Sequence, residues 1–367
     1  MSGAWNLIGR NRTVTIAETQ IVGGAQVDHQ VDVGQLDIFP GFVDQHCHGG
    51  GGGSFVSADA DEIATAVQFH RSRGATTIIS SLVSDTIDNL SKQVRALTPF
   101  VRSGDIAGIH LEGPWISTMR AGAHDRAVLT PPNMADLEHM VEVGEGAIRM
   151  VTLAPELPGA MEAIDYLVSQ GLVVAIGHTD CDSEQARQAV AHGASVVTHA
   201  FNAMPSIHHR EPGPLPWLLS ASDVFVELIA DGVHVHPEIL EWAIATVGSR
   251  RAVLVTDAMA AAGCLDGDYV LGSQPVHVAD GSARVAGGQA LAGSTLTMDA
   301  AVRLVNRQCG VSLSTAAGLG TSNPARALKL DGVGALEVGM TANVIGMNKA
   351  GEVELVVYQG EILRSSA

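Results

Sequence analysis

Ile109-His110-Leu111-Glu112-Gly113-Pro114 is a short apolar run that ends in a carboxylate followed by two turn residues. Read as a strand, it places Glu112 at its C-terminal end, where Gly and Pro stop the pairing. The layout recurs. Val/Ile/Leu-rich runs occupy 36–43, 76–82, 106–111, 148–153, 172–176, 195–198, 224–229 and 252–255. Stretches at 60–73, 87–102, 131–143, 160–170, 183–192 and 237–247 lie between them with apolar residues at helical spacing. Strands buried on both faces read as continuous apolar runs, and parallel pairing needs a long crossover. Eight such runs with intervening helices predict a closed (β/α)8 TIM-like barrel, an α/β fold.

The chain ends read differently. Segments 5–8, 13–16 and 26–33 look like strands with no helices between them, as do 342–347 and 352–357. They predict a small β-sandwich domain formed by both termini, residues 1–39 and 335–367, beside a barrel of residues 40–334. Segment 269–285 predicts a hairpin inserted after the eighth barrel strand. The run Gly49 to Gly53 is either a loop that lets backbone approach a substrate or a flexible connector.

A chain of 367 residues with 46% hydrophobic content is ample for one large core. No stretch approaches the ~18 apolar residues of a spanning helix, and the N-terminus lacks a basic segment followed by an apolar one, so a cytoplasmic protein is expected. Cys47, Cys181, Cys264 and Cys309 form no CxxC pair, which predicts reduced thiols. A net charge of −18 argues against nucleic acid and anionic membrane as partners. A phosphorylated metabolite would need a local cluster of cationic groups or helix N-termini.

On the barrel frame, His46 and His48 follow the first strand, Glu112 the third, His178 the fifth, His199 the sixth, Asp231 and His234 the seventh and Asp257 the eighth. All fall on the C-terminal rim, where barrel enzymes assemble their sites. Imidazole and carboxylate suit a zinc-like divalent ion, and an open coordination position would lower the pKa of a water toward ~7. A lone histidine after an apolar run is ordinarily a packed or surface residue; agreement among several strand ends is what favours a metal site. Asp257 taken alone also reads as a helix N-cap before Ala258-Met259-Ala260-Ala261. Asp231 receives no role, and His70, His139, His192 and His277 read as surface residues. Cys47, between the paired histidines, reads as packing rather than as a nucleophile.

These residues carry a resemblance. Pro40-Gly41-Phe42-Val43-Asp44-Gln45-His46-Cys47-His48-Gly49, His110-Leu111-Glu112-Gly113-Pro114, Gly177-His178-Thr179 and Thr198-His199-Ala200-Phe201-Asn202-Ala203-Met204 occur in an order that resembles the amidohydrolase superfamily and, more narrowly, its N-acetylglucosamine-6-phosphate deacetylase family. His209-Arg210-Glu211-Pro212-Gly213, Ala230-Asp231-Gly232-Val233-His234, Val255-Thr256-Asp257-Ala258 and Leu291-Ala292-Gly293-Ser294 extend it, from about Pro40 to Met298.

The resemblance implies metal-dependent hydrolysis of an acetamide on a phosphorylated amino sugar. Glu112, His178 and His199 would hold the principal ion, with water or hydroxide completing its shell. Asp257 would be general base and then acid, and His124, otherwise a polar loop residue, would polarise the carbonyl. Arg210 and His234, with the main-chain amides of Asn202 and Ala203, would meet the phosphate, and Leu291, Ala292 and Gly293 the acetyl group and ring. In relatives the arginine can reach across a dimer, which implies a homodimer. Some relatives have glutamine and asparagine where this chain has His46 and His48. The two histidines therefore either hold a second ion bridged by Glu112 or only hydrogen-bond near the site; residues 148–156 contain no lysine to be carboxylated as a bridge. Ligand type leaves zinc, iron, manganese and cobalt open. A dihydroorotase-like enzyme or an N-acyl-amino-acid deacylase would share the metal site without a sugar-phosphate pocket. A catalytically silent barrel would have little reason to keep Asp257.

Overall fold

Residues 4–40 alternate apolar with polar side chains, the pattern of strands buried on one face. In the computed structural model, which describes residues 3–365, they form β1 (Ala4–Gly9), β2 (Thr13–Ala17), β3 (Gln20–Ile21), β4 (Val27–Val33) and β5 (Asp37–Pro40). Residues 1, 2, 366 and 367 of the expected terminal domain lie outside the described residues.

The continuously buried runs then alternate with helices. β6 (Phe42–Cys47) leads through a glycine hairpin, β7 (Gly49–Gly50) and β8 (Gly53–Ser54), into α1 (Ala60–Ser72). There follow β9 (Ala75–Val83), α2 (Ile87–Ser103), β10 (Gly108–Glu112), α3 (Met134–Gly144), β11 (Ile148–Leu153), α4 (Ala160–Ser169), β12 (Val173–Ile176) and α5 (Ser183–Ala191). β13 (Val196–Val197), α6 (Leu215–Ser220), β14 (Phe225–Ile229), α7 (Pro237–Val247) and β15 (Ala252–Val255) complete the ring. Helix starts follow their caps: Asp59 accepts from the Asp61 and Glu62 amides before α1, and Asp182 forms a capping box with Gln185 before α5.

Eight parallel strands pair in the order β15-β14-β13-β12-β11-β10-β9-β6. The first and last meet through a bridge between Cys47 and Ala258, with the Asp257 amide on the His46 carbonyl and the His48 amide on the Ala258 carbonyl, both at 2.8 Å. Asp44, fully buried, fastens the same seam by accepting from Thr256 Oγ1 at 2.6 Å. The expected TIM-like barrel is therefore present.

Several expectations change in detail. The run 36–43 divides at Gly41: β5 pairs antiparallel with a C-terminal strand, while β6 enters the barrel. At that crossing a Cβ on Gly41 would lie 2.1 Å from Thr76 Oγ1. The expected hairpin is a three-stranded antiparallel meander, β16 (Gly267–Leu271), β17 (Gln274–Ala279) and β18 (Ser282–Val285). After it come three helices, α8 (Met298–Gln308), α9 (Leu313–Leu319) and α10 (Ser322–Ala327). The chain ends in β19 (Val344–Met347), β20 (Val353–Tyr358) and β21 (Glu361–Ser365), which with β5 form one four-stranded sheet. β1 to β4 form the other, and Trp5, Leu7, Ile16, Leu36, Val344 and Leu355 share the core between them. This is the expected sandwich built from both chain ends. All four cysteines are free, and among the described residues no helix is long and apolar enough to cross a membrane.

Candidate active site

The rim residues converge on Glu112. Its Oε1 lies 2.9 Å from His199 Nε2 and 3.1 Å from His178 Nε2, and those two ring nitrogens are 3.0 Å apart. Its Oε2 faces a second pair: His48 Nε2 at 3.2 Å and His46 Nε2 at 3.5 Å, themselves 3.2 Å apart. Asp257 Oδ1 reaches the same pair, 3.1 Å from His48 and 3.5 Å from His46. One carboxylate thus stands between two imidazole pairs.

The chain bends sharply to deliver these groups. His178, His199 and Asp257 all have left-handed backbone, with φ of +46°, +26° and +49°. Such conformations cost non-glycine residues of order 1–3 kcal/mol and collect at functional sites. Here they turn the chain outward where each strand ends.

Hydrogen bonds on the far side of each ring separate two kinds of histidine. His46 Nδ1 donates to Glu227 Oε2 (3.1 Å), His48 Nδ1 to the Ser81 carbonyl (3.1 Å) and His178 Nδ1 to the Arg120 carbonyl (2.8 Å). In each, Nδ1 is committed as a donor, so Nε2 is the nitrogen that meets the cluster, where a bound cation would displace its proton and take up its lone pair. His124 is the reverse. Its Nδ1 accepts the Ser84 amide at 3.1 Å, so Nε2 carries the proton and points 3.5 Å from Glu112 Oε2. Burial, with the charge of His178, pulls the His124 pKa down to about 4, which keeps the ring a neutral donor.

Burial would raise Glu112, yet the charge of His46 and hydrogen bonds from His124, His178 and His199 hold it well below the usual carboxylate range. Asp257 is held low against burial by His46 and His48. Burial opposes charging of His48, but Asp257 and Glu112 push it up to about 9. Two ionised carboxylates and converging imidazole nitrogens in a buried cluster demand positive charge. That donor set fits a divalent cation.

The cluster floors a cavity of about 340 Å³. Asn202, Ala203, His234, Leu291 and Gly293 line its walls, as do Leu271 and Arg284 from the meander. Arg210 stands elsewhere, exposed on the loop after β13 with Nη1 2.7 Å from His209 Nε2. Ala292 is fully buried, and His46 lies beneath the floor. Asp231, left without a role by its place in the sequence, orients His234 by accepting from its Nδ1 at 2.6 Å. Asp257 caps no helix. His70 is not a surface residue: it is fully buried, with Nε2 donating to the Gly49 carbonyl at 2.8 Å and lying 3.3 Å from Cys47 Sγ. The glycine run is no loose connector but the hairpin packed on α1.

The Amidohydrolase family model matches residues 38–363. The chain belongs to the amidohydrolase family. This amidohydrolase is 32% identical over 358 residues to the N-acetylglucosamine-6-phosphate deacetylase of Vibrio furnissii, covering 96% of this chain and 89% of that one. It is 35% identical to the N-acetylgalactosamine-6-phosphate deacetylase of Escherichia coli O157:H7, covering 89% and 87%. Its fold matches, with a TM-score of 0.95 and 42% identity over 99% of this chain and all of the other, an aspartate-to-alanine variant of N-acetyl-D-glucosamine-6-phosphate deacetylase from Mycobacterium smegmatis in complex with N-acetyl-D-glucosamine-6-phosphate.

Sequence reasoning passed over Glu227, the buried partner of His46, and Arg284. A charged residue inside the apolar strand Phe225-Val226-Glu227-Leu228-Ile229 was the available signal for the first. Arg284 carried none, since only folding brings the meander to the cavity.

Proposed function

We propose that this amidohydrolase removes the acetyl group of N-acetylglucosamine-6-phosphate, giving glucosamine-6-phosphate and acetate. The observation that carries the reading is one cavity in which a cation-suited cluster, a carboxylate and a neutral histidine donor adjoin Asn202, Ala203 and His234. The named relatives support the substrate.

In this proposal Glu112, His178 and His199 hold a principal zinc ion, and His46 and His48, with Glu112 between, a second. The ion supplies Lewis acidity, which acidifies water and polarises the acetamide carbonyl. Asp257 takes a proton from the attacking water and returns it to the departing amine. His124 donates its Nε2 proton toward the carbonyl oxygen as charge builds there, and with Nδ1 committed to the Ser84 amide it turns no lone pair toward the cation. His234, braced by Asp231, and the amides of Asn202 and Ala203 receive the phosphate; Leu291 and Gly293 border the ring and acetyl group.

We also propose a homodimer. Ile207, Val233, Ile239 and Trp242 are 45%, 48%, 42% and 43% exposed, a group of apolar residues on and beside the Arg210 loop that a second copy would cover. Arg210, outside its own cavity, would then serve the neighbour's. A cytoplasmic setting agrees with four free cysteines.

The test is acetate release by purified protein from N-acetylglucosamine-6-phosphate, its galactosamine epimer and the unphosphorylated sugar, before and after chelation and zinc return. Chelator-sensitive turnover of the phosphosugar alone is expected. Preference for the epimer would move the reading to the Escherichia coli relative's substrate. Metal-dependent hydrolysis of unrelated amides only would discard the sugar phosphate.

A further inference from the structure

Glu227 on β14 is a carboxylate with no accessible surface, and no lysine or arginine pairs with it among the described residues. Three groups donate to it: Gln45 Nε2 to Oε1 at 2.7 Å, His46 Nδ1 to Oε2 at 3.1 Å and the His199 main-chain amide to Oε2 at 3.1 Å. Two of these belong to opposite imidazole pairs. His46 faces Glu112 Oε2 and Asp257, whereas His199 faces Glu112 Oε1. The two pairs are therefore joined twice, in front by Glu112 and behind by Glu227.

Burying an ionised carboxylate among mainly neutral donors is expensive unless positive charge lies close. The nearest route to such charge runs through the His46 ring, whose Nε2 enters the cluster. A carboxylate behind an imidazole fixes its tautomer and raises its strength as a ligand. The same oxygen holds the His199 amide where the backbone is in its left-handed turn (φ +26°), so it steadies a ligand of the first pair through the main chain.

We infer that Glu227 is a positioning residue that makes the His46/His48 pair a genuine second cation position and ties its occupancy to that of the His178/His199 pair. The inference rests on the metal-hydrolase reading of the cluster but not on the identity of the substrate. Glu227→Gln removes the negative charge while its amide oxygen can still accept from His46 Nδ1 and the His199 amide, so it isolates the effect of the charge. Gln45→Leu removes the donor that holds Oε1 and leaves the charge.

The experiment is cobalt(II) titration of metal-free full-length protein, followed by visible absorption and by metal content after gel filtration. Wild type is expected to take up two equivalents per chain, the second without a large gap in affinity. Glu227→Gln is expected to saturate at one, with the second bound at least tenfold more weakly, and His46→Asn to behave alike. Gln45→Leu should fall between them, which keeps the test available if Glu227→Gln does not fold. A residue of merely structural importance would lower thermal stability without removing the second equivalent selectively. Two equivalents with unchanged affinity in Glu227→Gln, or in Gln45→Leu where Glu227→Gln does not fold, would overturn the inference, as would one equivalent in wild type. Loss of deacetylation of every sugar phosphate with the two-ion uptake intact would instead defeat the substrate reading alone.

Discussion

In the proposed reaction Asp257 and His124 would divide the proton chemistry because their surroundings differ. Among the described residues Asp257 meets no cationic side chain other than the imidazoles it shares with Glu112, and these hold its carboxyl well below the usual carboxylate range. His124 is locked by the Ser84 amide as an Nε2 donor. Asp257→Asn keeps the shape and removes the base, so metal content should match wild type while kcat falls by roughly two or more orders of magnitude. Turnover within a few-fold of wild type would remove Asp257 from the proton-transfer role. Arg210→Ala should instead raise KM for the phosphosugar by roughly one to two orders of magnitude with kcat little changed, as expected for a charge-assisted contact.

At the scale of elements, the glycine hairpin and α1 form a close joint beneath the site. Gly49 and Gly52 amides bond the Ala258 and Ala260 carbonyls, so the hairpin is tied to the segment that follows Asp257. A Cβ on Gly53 would lie 2.1 Å from the Glu62 carbonyl oxygen and 2.9 Å from the Ala66 amide. Both are helix backbone and cannot swing aside. Gly53→Ala is expected to cost about 1–3 kcal/mol or more, read as a lowered Tm. His70 sits in the same joint, and burial pulls its pKa down to about 4, below the ~6.5 of an unfolded histidine. As pH falls the unfolded chain therefore takes up this proton first. The His70 contribution is intact above ~6.5 and is lost progressively toward pH 4, by about 3 kcal/mol in total. Asp44, raised to about 6 chiefly by burial, acts in the opposite sense over that window, because the folded state there binds the proton first. His70→Gln should thus lose less Tm than wild type between pH 7 and 4.5. Equal losses would show that His70 does not titrate as its burial demands.

For the whole molecule, the proposed dimer places the apolar group on and beside the Arg210 loop at its interface. Trp242→Glu puts a charge in its middle and should yield monomers in sedimentation at micromolar protein, with KM for the phosphosugar rising as in Arg210→Ala. A dimer that survives this substitution would place the interface elsewhere. The sandwich keeps an inner core of its own, but Phe39, Ile345, Met347, Val353 and Val356 on the sheet of β5, β19 and β20 pack into the barrel's core, beside the crossing at Gly41 where β5 ends and β6 begins.

The alternation of apolar runs with helical segments determined the barrel, because a strand buried on both faces and a crossover helix leave unmistakable periods in the sequence. It also determined which side chains stand at strand ends, and hence Glu112, His178, His199, His46, His48 and Asp257 as one group. The meander was legible as strands but not as a cavity wall, since its strands pair only with one another and nothing local says where they dock. Only the tertiary structure distinguished donor from ligand histidines, because that depends on what lies behind each ring: a Ser84 amide for His124, a Glu227 carboxylate for His46. Glu227 is 181 positions from His46, and His70 is hidden by a hairpin that its own helix does not contain. Such partnerships arise from barrel closure, which brings together residues whose spacing in the chain carries no trace of it.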